Sequence, residues 1–153
     1  MKRWSLKQLA VGAALGGLIT ASAGFQKSSA PRYISLPERT DDRPYSNAVL
    51  VGDTLYLAGS IGIDPKTGKP PADVKEEVKI VMDSMKRRLE MVGMTMDDLV
   101  SVQVFCPNLE LYDEFNAIYR TYFKEHFPAR GFIGSGPLLA GGNFEIMGVA
   151  VKR

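Results

Sequence analysis

The hydrophobic positions of this chain fall into short runs and two longer stripes. Residues 48–51 and 54–58 are apolar runs separated only by Gly52 and Asp53, the two-residue signal of a β-hairpin. A weaker run at residues 33–36 predicts a first strand, and the Gly- and Pro-rich stretch 59–71 predicts a loop. Val74, Val78, Val81, Met85, Leu89 and Val92 then recur at steps of three and four. That spacing draws one apolar stripe along an amphipathic helix. Asp73 is its expected N-cap, with Glu76 closing a capping box, and Gly93 its expected C-cap. Residues 99–105 alternate with period two, as a half-buried strand does. A second helix carries Leu111, Phe115, Ile118, Tyr119, Tyr122 and Phe123 on one face and is expected to end near His126, Phe127 and Pro128. Strands at 131–136 and 144–151 complete the order β-β-β-α-β-α-β-β. The predicted class is α+β, a mixed sheet of about six strands with both helices packed on one face. The other face also carries apolar residues, and a closed homo-oligomer is the simplest way to cover it.

The N-terminus changes how the charge is read. Lys2, Arg3 and Lys7 precede an apolar stretch at residues 9–19, and Ala21-Ser22-Ala23 follows it. Residues 1–23 are therefore expected to be a cleaved signal peptide, since the apolar run is far shorter than the roughly 20 residues of a membrane span. Export to the periplasm or outside the cell is the implied location, with no membrane attachment after cleavage. Removing residues 1–23 takes away three basic residues and no acidic ones, so the formal charge of +2 (19 basic, 17 acidic) becomes −1 (16 basic, 17 acidic). No basic excess remains to follow a phosphate backbone, which argues against a nucleic-acid partner. Residues 24–42 read as a flexible lead-in containing the possible first strand, and residues 43–153 as one domain. The single cysteine, Cys106, has no intrachain disulfide partner and is expected to pack as a small apolar side chain.

Little in the sequence can perform chemistry. There is one histidine, His126, expected at a helix end, and there is no His/Cys pattern with metal-ligand spacing. The candidate pair is Arg130, at the mouth of one apolar strand, and Glu145, inside the next. Together they are expected to set a fixed cation near a carboxylate.

The chain also carries a set of short motifs in order: Pro44-Tyr45-Ser46-Asn47-Ala48, the hairpin from Gly52 to Gly59, Asp64-Pro65-Lys66-Thr67-Gly68, Phe115-Asn116-Ala117-Ile118-Tyr119, Phe127-Pro128-Ala129-Arg130 and Phe144-Glu145-Ile146. In these it resembles the Rid proteins, the reactive intermediate deaminases, over about residues 43–153. The resemblance implies a chorismate-mutase-like α+β unit, a homotrimer with sites between subunits, and hydrolysis of reactive enamines and imines to 2-keto acids and ammonia. It implies no cofactor and no metal. Carried over by position, Arg130 is the residue for the substrate carboxylate and Glu145 the acid that orients water. Tyr45, Gly59, Ser60 and Asn116 line or support the cleft, and Phe132 walls it. The chain departs from the family pattern at Ser60, Gly131 and Met147, and in the loop 136–142. A second class of function remains, a non-enzymatic oligomer that binds small carboxylates or shields unfolded clients. Such a binder needs Arg130 but has no use for an acid beside it, so Glu145 favours the enzyme.

Overall fold

The computed structural model describes residues 30–37, 39–40 and 42–153. The expected signal peptide at residues 1–23 lies outside them. The element order is β1 (Arg32–Ile34), β2 (Ala48–Val51), β3 (Thr54–Ile61), α1 (Val74–Glu90), β4 (Leu99–Cys106), α2 (Tyr112–Tyr119), β5 (Ala129–Gly134) and β6 (Glu145–Val151). One six-stranded sheet runs β1-β2-β3-β6-β4-β5. The β4/β5 pair is parallel, and the other neighbours are antiparallel. This is the mixed sheet with two helices that the hydrophobic pattern predicts.

The hairpin turns at Gly52, whose φ of 58° is open to glycine at little cost. Asp73 caps α1, its side chain accepting from the Lys75 N–H at 2.9 Å. Glu76 does not close the expected box; its carboxylate takes the Lys79 ammonium at 2.6 Å instead. The helix itself ends at Glu90, short of Gly93. Gly93, at φ 72°, then closes a Schellman turn in which the Met94 N–H reaches the Leu89 carbonyl at 3.0 Å. The stripe predicted for α1 lies in the core: Val78, Val81, Met85 and Leu89 are all buried against Leu55, Leu57, Val102, Val104, Ile146 and Ala150 of the sheet. Cys106 is buried there too, as expected of a small apolar side chain.

The largest departures from the sequence reading are in β3, α2 and β5. Strand β3 runs on through Gly59 and Ser60 to Ile61, where a loop was expected. It does so through a bulge between Leu57 and Ser60. A glycine within a strand often marks such an irregularity, and it carries no apolar signal of its own. Helix α2 stops at Tyr119, and the chain tightens through Arg120–Tyr122 into a short 3-10 turn well before His126. Strand β5 begins at Ala129 and ends at Gly134, two residues earlier at each end than expected.

Two buried charges on α1 shape this end of the molecule. Glu77 is fully buried, and its carboxylate accepts from the Asn143 N–H (2.6 Å), the Asn143 Nδ2 (2.7 Å) and the Phe144 N–H (3.2 Å). It thereby pins the β5–β6 connection just before Glu145. Arg88 donates through Nη1 to the Ala58 carbonyl at 2.9 Å and through Nη2 to Ser84 Oγ at 3.1 Å, bracing the β3 bulge from below.

Candidate active site

Arg130 is the second residue of β5 and pairs in register with Val102. Val102 is wholly buried beneath the helices. Residues paired across strands project to the same face, so Arg130 reaches up to α2. Its guanidinium lies 4.5 Å from the Tyr119 ring centroid, 5.7 Å from that of Tyr112, and 5.8 Å from those of Phe115 and Phe132. Nη2 donates to Asn116 Oδ1 at 2.7 Å. The rings hold the cation by its faces, and Asn116 fixes its rotation. Among the described residues no carboxylate pairs with it. A cavity of about 350 Å³ opens beside it, lined by Tyr112, Asn116, Tyr119, Arg120, Phe127, Pro128 and Arg130. The Tyr119 hydroxyl is buried without a hydrogen-bond partner. Burial pushes its pKa up to about 12 while Arg130 pulls the other way, so it stays neutral at ordinary pH.

Glu145, the first residue of β6, pairs with Ile61 on one side and Phe105 on the other. Phe105 alternates with the buried Val104 and Cys106, so Glu145 lies on the sheet face away from the helices. The expected closeness of Arg130 and Glu145 within one chain is thus not what the sheet provides. Their Cα atoms sit about 10 Å apart along the strands and about 10 Å across them, with side chains on opposite faces. Glu145 instead lies over Gly59: a Cβ built on Gly59 would come 2.1 Å from Glu145 Oε1.

The other residues carried over from the resemblance divide the same way. Asn116 and Phe132 stand with Arg130; Phe132 packs its ring 4.9 Å from Tyr112 and 5.4 Å from Phe115. Gly59 stands with Glu145. The Ser60 hydroxyl donates to Ser84 Oγ at 3.1 Å and is buried beneath α1. Tyr45 precedes β2, at the opposite end of the strand order from β5. It is half exposed, with Arg39 4.7 Å over its ring and Arg43 Nη1 donating to its hydroxyl at 3.0 Å. Gly131 lies on the open face and Gly134 lies under Leu109, whose Cδ1 would be 3.4 Å from an added Cβ. The open face carries Tyr56, Ser101, Gln103, Met147 and Val149 around a shallow hollow.

Sequence reasoning missed Tyr112, Tyr119, Arg120, Phe127 and Pro128 as cavity residues. The signal was present in the spacing of Tyr112, Asn116, Tyr119 and Arg120, which puts them on one side of a helix, but an apolar-stripe reading ranks such residues only as core. Among the described residues no grouping of His, Cys, Asp and Glu is arranged to hold a metal ion, and no helix is long and apolar enough to cross a membrane.

Comparison with known proteins places this architecture. Residues 39–152 match the family described as endoribonuclease L-PSP. The chain is 36% identical over 110 residues to the human 2-iminobutanoate/2-iminopropanoate deaminase, covering 71% of this chain and 80% of that one. It is 34% identical over 113 residues to the Escherichia coli K12 protein of the same name, covering 72% and 88%. Among solved structures it resembles E. coli TdcF with bound serine, at a TM-score of 0.72 and 26% identity, covering 80% of this chain and all of the other. The chain belongs to the endoribonuclease L-PSP family, the YjgF or Rid proteins.

Proposed function

We propose that this protein hydrolyses reactive 2-imino acids and their enamine tautomers to 2-keto acids and ammonia, without a cofactor, in a closed homotrimer. Each site would join Arg130 of one copy to Glu145 of the next. The observation that carries this reading is the state of Arg130: held flat by aromatic rings and one amide, unpaired with any carboxylate among the described residues, and open to a cavity. That is a cation prepared for an anion from outside the chain. A guanidinium grips a carboxylate through two parallel hydrogen bonds, and a 2-imino acid brings a carboxylate next to its C=N carbon. The serine in TdcF and the names of the two deaminase relatives point to ligands of this shape.

Water supplies the other half of the reaction. Its oxygen bonds to the imine carbon, the carbon–nitrogen bond breaks, and both water protons leave on nitrogen as ammonia. A carboxylate that accepts the first proton and returns it is a general base and then an acid. Glu145 suits that work, but it stands on the open face, so it serves an Arg130 only where a neighbouring copy covers that face. The exposed Tyr56 and the half-buried Met147 and Val149 there give such a copy an apolar surface to cover. With residues 1–23 read as an export signal, the imines in question are those released by oxidases outside the cytoplasm.

The test is ammonia and 2-keto acid release by residues 24–153 from imines formed in place by an L-amino-acid oxidase. Release above the spontaneous rate supports the proposal, and equal rates with and without protein end it. A finer prediction concerns Gly59. Gly59→Ala would drive Glu145 Oε1 out of its place, and misplacing a catalytic group by about 1 Å lowers rates by about 10- to 100-fold. Only the flexible end of one side chain has to move, so the melting temperature should change little. A variant as active as wild type would remove Glu145 from the mechanism.

A further inference from the structure

The cavity beside Arg130 holds a second guanidinium. Arg120 follows α2 directly, and its Nε donates to the Asn116 carbonyl at 3.2 Å. Asn116 is the same residue whose side chain holds Arg130. One residue therefore tethers both cations, the first through its amide oxygen and the second through its backbone. Both line the same cavity, and the rest of its wall is Tyr112, Tyr119, Phe127 and Pro128. Arg120 is exposed, and among the described residues neither guanidinium has a carboxylate partner. Two guanidiniums lining one cavity offer an anion with two charged ends a partner for each.

From this we infer that the site selects short-chain dicarboxylic 2-imino acids, Arg130 taking the carboxylate next to the imine and Arg120 the one at the far end. The aromatic and proline walls accommodate the methylenes between the two carboxylates. This deepens the deaminase reading and rests on it for the reaction, though not for binding. Recognition needs no new bond: the second carboxylate accepts hydrogen bonds from the Nη groups of Arg120, while Nε stays with Asn116. Arg120 is in this sense a specificity residue, remote from the imine carbon.

Two measurements separate this inference from the reaction itself. The first compares imines generated from aspartate and glutamate with imines generated from alanine and leucine, in wild type and in Arg120→Gln. The ratio of dicarboxylic to monocarboxylic kcat/KM is expected to favour the dicarboxylic imines in wild type. It should fall by about 10- to 100-fold in the variant, the range of one charged hydrogen-bonded contact. A ratio unchanged by Arg120→Gln, or a wild type that prefers the alanine or leucine imine, overturns the inference and leaves the deaminase intact. The second is calorimetry with the stable analogues 2-oxoglutarate and pyruvate, which reads binding even where no imine is hydrolysed. Tighter binding of 2-oxoglutarate that disappears in Arg120→Gln supports the inference; equal binding of the two, or a preference that survives the substitution, overturns it.

Discussion

Arg130→Ala is expected to lower kcat/KM for every 2-imino acid by about 10²- to 10⁴-fold, from the loss of two charged hydrogen bonds worth about 1.5–3 kcal/mol each. The fold should survive the change. Arg130 is only half-buried at the edge strand, and the core beneath it is built from Phe115, Phe144, Val102 and their neighbours. Arg130→Lys restores the charge but not the planar fork or the stacking on Tyr119 and Tyr112. It should recover only part of the loss. The check is initial rates at low substrate with matched melting curves. Full activity in Arg130→Ala would mean that the carboxylate is bound elsewhere.

The largest effect on stability is expected at Glu77. Its carboxylate accepts three hydrogen bonds from Asn143 and Phe144 in a fully buried setting. Glu77→Ala strands those donors and opens a void under the β5–β6 connection. Leaving several buried donors without partners costs about 3–5 kcal/mol. For a domain of this size that is about 10–20 °C in melting temperature. Glu77→Gln can keep its amide oxygen on the Asn143 and Phe144 N–H groups but turns its NH₂ toward the Asn143 side-chain NH₂, so a loss of about half that size is expected. Because Phe144 leads straight into Glu145, activity should fall with stability even in the variants that still fold. A melting temperature within a few degrees of wild type for Glu77→Ala would show that this connection does not depend on the buried acid.

What could be read in the sequence follows from which physical signals are periodic. The α1 stripe, the hairpin at Gly52 and the alternation of β4 are repeated patterns of burial, and each fixed an element to within a few residues. The β3 bulge is a single local irregularity at Gly59, and its glycine and serine look like loop composition. Glu77 and Arg88 were invisible for a different reason: a charged residue within a helical pattern reads as solvent-facing, and only the tertiary contacts to Asn143, Phe144 and Ala58 show otherwise. The site itself was half legible. Arg130, Asn116 and Phe132 do gather at one place, because they lie on α2 and on the strand packed beneath it. Glu145 does not join them, because the strand register sends Glu145 to the far face of the sheet while Arg130 points under the helix. Sequence separation carries no information on that parity once an irregular loop intervenes.

That separation makes the account testable in one experiment. Arg130→Ala and Glu145→Gln, each inactive alone, are denatured, mixed in equal amounts and refolded together, then assayed for ammonia release beside wild type. If each site takes Arg130 from one copy and Glu145 from its neighbour, about a quarter of the sites in a random cyclic assembly regain both residues, and about that share of wild-type activity returns. A mixture as inactive as its two components would contradict the shared site.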